Sequence, residues 1–180
     1  MLACADAKTN LRLDKKGFTL VETIVVMIII VILAAVIVVK NPFNAIKIYS
    51  ATRKVAADIR YAQQLAKSTQ TRCGLQYTGT TGYSVFQNDN TATRARSAGD
   101  PCSDDGAGNF VVDFSAVQCG VYSGVTITQA LPSNILKFNS IGTPYGGDNN
   151  LLVSSVVTLS LGGAPPRSIT IEAGTGRVSY

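Results

Sequence analysis

Lys15-Lys16-Gly17-Phe18-Thr19-Leu20-Val21-Glu22 puts two cations, a glycine, an aromatic ring and one carboxylate at the entrance to a long apolar run. The carboxylate needs a reason to be there. In the hydrocarbon of a bilayer it costs on the order of 3 kcal/mol at mid-helix and less near a helix end, so an acid in such a run marks function. Its natural partner is a positive charge at the same depth. The commonest catalytic designs are absent, because a chain without histidine has no Ser-His-Asp triad, no Cys-His pair and no histidine-bearing zinc site. Cys73 has no general base that the sequence can point to. Asp100-Pro101-Cys102-Ser103-Asp104-Asp105-Gly106 and Gly147-Asp148-Asn149-Asn150 offer oxygen ligands of the kind calcium takes, but the EF-hand spacing is missing and the same residues build turns. The chain is therefore read as a non-enzyme with no cofactor and no metal site.

The elements that must carry these residues follow from pattern. Phe18 to Val39 is 22 residues long and apolar apart from Thr19, Glu22 and Thr23, which as a helix spans roughly 33 Å, the thickness of a bilayer. Ala34-Ala35 lies inside the run and no small-residue exit follows it, so the segment is expected to stay attached as an anchor rather than be removed as a secretory signal. Basic residues flank it evenly, with Lys8, Arg12, Lys15 and Lys16 before and Lys40, Lys47, Arg53 and Lys54 after. Only the abutting Lys15-Lys16 pair tips the N-terminus toward the cytoplasm. Lys40-Asn41-Pro42 interrupts the helix, since proline removes a donor and clashes with the preceding turn.

From Asn44 to about Arg72 the spacing predicts a second helix. Ile48, Thr52, Val55, Ile59, Ala62 and Ala66 recur at three- and four-residue steps and form a stripe to lie on a sheet, while Arg53, Lys54, Arg60 and Lys67 take the opposite side. Asp58 stands four residues beyond Lys54 as a modest helix-stabilising pair. From Cys73 the period becomes two: Leu75 and Tyr77, a Gly79-Thr80-Thr81-Gly82 turn, then Tyr83 and Val85 read as a hairpin. Residues 87–109, rich in Asn, Asp, Gly and Ser, are expected as a long exposed loop. Further strands are expected over 110–117, 120–129, 135–139, 151–161, 168–172 and 177–180. Several short antiparallel strands against one helix make an α+β layer arrangement: a long bent N-terminal helix packed on a β-rich head. The organisation is a leader (1–17), a transmembrane and assembly helix (18–39), an amphipathic stem (40–72) and a β-rich head (73–180).

The net charge is +5, of which the leader supplies +2, an excess too small to imply nucleic-acid binding by itself. Three of the four cysteines, Cys73, Cys102 and Cys119, lie beyond the leader. In an oxidising compartment the favoured pair is Cys102 with Cys119, which flank a segment rich in Gly, Asp and Ser, and Cys73 is left over. Three reduced cysteines buried as small hydrophobes are the alternative.

Gly17 to Glu22 reads Gly-Phe-Thr-Leu-x-Glu and resembles the processing motif of the type IV prepilin and pseudopilin superfamily. The resemblance implies that a prepilin peptidase cuts between Gly17 and Phe18 and that the new N-terminus at Phe18 is methylated. It also implies that Glu22 neutralises the terminal ammonium of a neighbouring subunit during filament assembly. The charges fit that role, because an ammonium and a carboxylate drawn into a helix bundle of low dielectric compensate one another.

The stem from Thr52 to Ala66, the segment Phe138-Asn139-Ser140-Ile141-Gly142-Thr143-Pro144 and the closing Ile169 to Val178 resemble the minor pseudopilin group shared by type II secretion (GspH proteins) and type IV pili (FimT proteins). That likeness implies a bacterial inner-membrane protein, single-pass and in contact with membrane lipid, its head in the periplasm and its partners other pseudopilins or pilins in a helical filament. It implies a minor pseudopilin of a type II secretion system, in a pseudopilus that drives export of folded proteins. The alternative is a minor type IV pilin in pilus assembly or DNA uptake. DNA-uptake pilins carry a Gly-Arg-x-Arg element, and Gly176-Arg177-Val178-Ser179 lacks the second arginine, so Arg177 is the one candidate nucleic-acid contact of that kind and DNA the lesser alternative partner.

Overall fold

The computed structural model describes residues 17, 19–40, 42–95 and 100–180, with side chains at all of these except 36–40, 42 and 101. The chain divides into two compact units, Met1–Lys40 and Asn41–Tyr180. The first holds helix α1, Leu20–Lys40, a succession of Val, Ile and Leu broken by a single acid, Glu22, in its first turn. Among the described residues no helix is long and apolar enough to cross a membrane. Phe18 and the side chains of 36–39, both ends of the expected span, lie outside those residues.

The second unit is built on α2, Pro42–Thr69. Proline suits a first helical position because its missing N–H has no partner there in any case. Ile48, Ala51, Thr52, Val55, Ala56, Ile59, Ala62 and Ala66 are buried along one side. Four alanines in that stripe let the helix axis come close to the strands beneath it. Thr52 satisfies its hydroxyl within the helix, on the Ile48 carbonyl at 2.7 Å. The helix stops where Gln70 turns to a φ of 55°.

Two antiparallel sheets receive this helix. In the first, β1 (Cys73–Thr78) lies between β2 (Gly82–Gln87) and β6 (Ile135–Phe138); β3 (Asn90–Arg94) and β4 (Val111–Asp113) both pair with β2, and β7 (Pro144–Gly146) pairs with β6. The second runs β10 (Val178–Ser179), β9 (Ala164–Glu172), β8 (Ser154–Leu161), β5 (Thr126–Gln129). Leu75, Tyr77, Tyr83, Val85, Leu136 and Phe138 from the first sheet and Ile127, Val157, Leu159, Ile169 and Ile171 from the second join the α2 stripe in one core. The α+β architecture is the one expected from the sequence.

Several local expectations are corrected. The region 87–109 is not one exposed loop. Asn88 and Asp89, with φ of 61° and 54°, make a two-residue hairpin turn into β3, and Ala95, Cys102 and Ser103 are buried. The strand expected over 110–117 ends at Asp113, whose carboxylate takes both the N–H and the hydroxyl of Ser115 at 2.8 and 2.6 Å and turns the chain. The strand expected over 120–129 starts only at Thr126, because 117–122 is a 3-10 turn that brings in Cys119. The 151–161 strand begins at Ser154, and β7 had no expected counterpart.

Candidate functional site

At the N-terminal segment Gly17 is non-helical and exposed, Phe18 lies outside the described residues, and Thr19 precedes the first residue of α1. The Thr19 hydroxyl oxygen accepts the Glu22 N–H at 3.2 Å, and its carbonyl takes the Thr23 N–H at the same distance. Thr19 is thus the cap residue of α1. Glu22 stands at the third helical position, where a carboxylate is favoured by the positive end of the helix dipole. Thr19-x-x-Glu22 is a capping-box sequence, a second meaning of the same acid that its membrane position masks. Glu22 is exposed. Among the described residues no cation reaches its carboxylate.

The cysteine loop forms a second constellation. Cys102 and Cys119 are joined by a disulfide across 17 residues, and Cys73 is free and buried. Pro101–Ser103 is a 3-10 turn opened by Asp100, whose carboxylate accepts the Cys102 N–H at 3.1 Å. That turn is fastened to α2 through Lys54. The ammonium reaches Asp100 at 2.9 Å, Asp58 at 3.0 Å and the Ser103 hydroxyl, and lies over the Phe110 ring at 5.4 Å. The Tyr83 hydroxyl donates to Asp58 at 2.6 Å from the opposite side.

Sequence reasoning put Lys54 on the side of the stem opposite the sheet-facing stripe and gave Asp58 only the part of a modest helix-stabilising partner. The structure corrects this: Asp58 is only 6% exposed, and the pair sits between helix, first sheet and cysteine loop. Nothing in a Lys-x-x-x-Asp spacing distinguishes a surface pair from one that a distant loop will cover. Burial works against the charged lysine, yet Asp58 and Asp100 together hold its ammonium above the usual range. Burial pushes the Asp58 carboxyl up against the pull of Lys54 and Tyr83. Partial burial alone would raise the Asp100 carboxyl, but Lys54, the Cys102 N–H and Ser103 together outweigh it and hold the group below its usual value.

A third residue, Gln63, gathers the C-terminal segments. Its amide nitrogen donates to the carbonyls of Gly142 at 2.9 Å, Thr175 at 3.1 Å and Gly176 at 3.2 Å. One turn back Arg60 holds the Val178 carbonyl at 2.9 Å and lies on the Tyr180 ring. The stem, the Phe138–Pro144 segment and the closing hairpin therefore meet at one glutamine. Gly176, at a φ of 66°, has no room for a side chain: a Cβ there would lie 2.5 Å from the Gly142 carbonyl oxygen and 2.6 Å from the Gln63 nitrogen.

Arg177 points outward, its side chain 73% exposed with Glu172 at 3.5 Å. In the acidic loops the carboxylates serve turns. Asp104 accepts the Gly106 and Gly108 N–H groups, Asp105 those of Ala107 and Asn109, and Asp148 that of Asn150. Asn149 accepts from the buried Lys137 at 2.7 Å and from Arg72 at 3.1 Å, which ties its loop to the first sheet.

Comparison with known proteins bears on the first of these sites. Residues 12–38 match the model of the prokaryotic N-terminal methylation motif, the signal of type IV pilins and pseudopilins. The matched stretch spans Gly17, Phe18 and Glu22. The chain is also similar to two crystal structures of the type IV minor pilin FimU of Pseudomonas aeruginosa strain PAO1. One has 18% identity and a TM-score of 0.47 over 73% of this chain and 86% of that one. The other has 18% identity and a TM-score of 0.46 over 73% and 90%. A likeness of that degree says nothing of function. No curated protein sequence matches the chain.

Proposed function

We propose that this protein is a minor pseudopilin of a type II secretion system, stored in the inner membrane by α1 with its head in the periplasm and drawn from there into a short helical filament that drives export of folded proteins. The observation that carries the reading is Glu22: a carboxylate at the head of an apolar helix, exposed, with no cation at hand among the described residues. Prepilin peptidase cuts between Gly17 and Phe18 and the new terminus is methylated. The Glu22 carboxylate then meets the ammonium of a neighbouring Phe18 as subunits bundle, a contact that strengthens as water leaves. The role is mechanical and needs no catalytic residue in this chain.

Arg177 favours secretion over DNA capture, since it is single and already faces Glu172. A photocrosslinker at Ile141, 76% exposed on the head, tests the assignment in living cells. Secretion pseudopilins among the captured neighbours support it. Capture of pilus subunits alone moves the protein to a type IV pilus and makes Arg177→Ala the next variant for DNA retention.

A further inference from the structure

The first turns of α2 carry a patch that the core of the head does not use. Phe43 is 73% exposed, Ile46 65% and Tyr49 42%, at positions i, i+3 and i+6 along one flank. Among the described residues the charged groups placed beside them are positive. Lys47 lies on the same helix, and the guanidinium groups of Arg53 and Arg167 lie 5.9 and 5.4 Å from the centre of the Tyr49 ring. Arg167 comes from β9, and the Asn44 side chain donates to the Gly162 carbonyl at 2.8 Å, so the β8–β9 turn belongs to this end of the head. The sequence has no Asp or Glu between Glu22 and Asp58, and none between Asp148 and Glu172. Lys54, the next cation along α2, turns inward to Asp58 and Asp100 and is neutralised there.

Apolar side chains beside a tyrosine and rimmed by uncompensated cations have the composition of a helix lying in the headgroup layer of a membrane. Chain length brings the patch within reach of one. Phe43 is four residues past Val39, at most about 14 Å of extended chain. We propose that the end of the head formed by Phe43, Ile46, Lys47, Tyr49, Arg53 and Arg167 docks on the surface of an anionic bilayer. The phenylalanine and isoleucine enter the acyl boundary, the cations meet lipid phosphates, and the tyrosine takes the interface. The proposal rests on the reading of α1 as a membrane anchor. It gives the stored subunit a second hold on the membrane, which must be released as the subunit moves into a filament.

The chain contains no tryptophan, so Phe43→Trp supplies a single indole, excited selectively over the tyrosines, in the full-length protein. It is reconstituted at one copy per nanodisc, in phosphatidylcholine alone or mixed with phosphatidylglycerol, with brominated lipid as quencher. The expected result is quenching of the introduced indole that is strong in the anionic discs, weak in the neutral ones and reduced by salt. Lys47→Glu, Arg53→Glu and Arg167→Glu should each lower the docking equilibrium constant by at least about fivefold. Equal quenching in both lipids, indifferent to salt, overturns the proposal while leaving the anchor intact, and the salt measurement needs no charge-reversal variant to fold. Quenching or a blue shift that requires two copies per disc assigns the patch to a second subunit and also overturns it. A protein that does not enter discs at all overturns the anchor reading, and the docking with it.

Discussion

Asp58 and Tyr77 are two buried polar groups with opposite fates. Asp58 has Lys54 and the Tyr83 hydroxyl, whereas the Tyr77 hydroxyl is buried with no hydrogen-bond partner among the described residues. Removing a donor from a buried carboxylate strands it, while removing an unpartnered hydroxyl strands nothing. Tyr83→Phe should therefore destabilise the head by about 1 to 3 kcal/mol in urea unfolding, and Tyr77→Phe should be neutral or slightly stabilising. Lys54→Met should be the severest of the three, at about 3 to 5 kcal/mol, because it leaves a buried carboxylate without its cation. Tyr83 also sets a pH dependence. Burial, then Asp58, hold its hydroxyl well above the ordinary tyrosine value of 10.0. A group raised on folding contributes stability in full below its unfolded value and loses it as pH climbs toward the folded one. The head should weaken above about pH 10, and Tyr83→Phe should weaken less steeply there than the parent. At the other end of the chain, Thr19→Ala removes the cap of α1 and should cost that helix about 1 kcal/mol, read as lower helicity in detergent, with Thr19→Ser restoring most of it.

Elements were legible where local chemistry decides them and illegible where distant contacts do. The α2 stripe and the β1–β2 hairpin announce themselves through spacing and turn residues. The cysteine region does not. Its segments are short, Asp113 and Asn88-Asp89 turn the chain by side-chain and backbone means that a polarity scan reads as loop, and the 3-10 turn around Cys119 takes shape with the Cys102 bridge. Gln63 was invisible for the same reason, since an amide that gathers three carbonyls from more than 75 residues away leaves no local mark. Of the N-terminal site the motif was plain, but the capping role of Thr19 was not, because a Thr-x-x-Glu spacing at the head of an apolar run serves a helix cap and an intramembrane charge alike. Replacing Cys102 and Cys119 by serine should cost about 3 kcal/mol for a loop closed across 17 residues. Because Lys54 also binds Asp100 and Ser103 of that loop, hydrogen exchange should rise at both ends of the bridge and also along α2 near residue 54. Protection of α2 unchanged by the double serine variant would separate loop from helix and refute that coupling.

At the scale of the whole molecule the chain is two compact units with separate tasks. Among the described residues the buried core cluster lies at or beyond Ile48, while the charge proposed for assembly sits in α1. Function and folding can then be uncoupled by one substitution. Glu22→Ala removes the carboxylate without touching the core, and the head of the variant should melt with the parent's midpoint and the same urea slope. Incorporation into filaments should fall at least about tenfold, the equivalent of roughly 1.4 kcal/mol, a modest value for a charge pair in a water-poor helix bundle. Glu22→Gln sharpens the test, because glutamine can still occupy the capping-box position but cannot neutralise an ammonium. If Glu22→Gln assembles as poorly as Glu22→Ala, the charge is what assembly requires; if it assembles like the parent, Glu22 acts by capping its own helix, and the pairing with a neighbouring terminus is wrong.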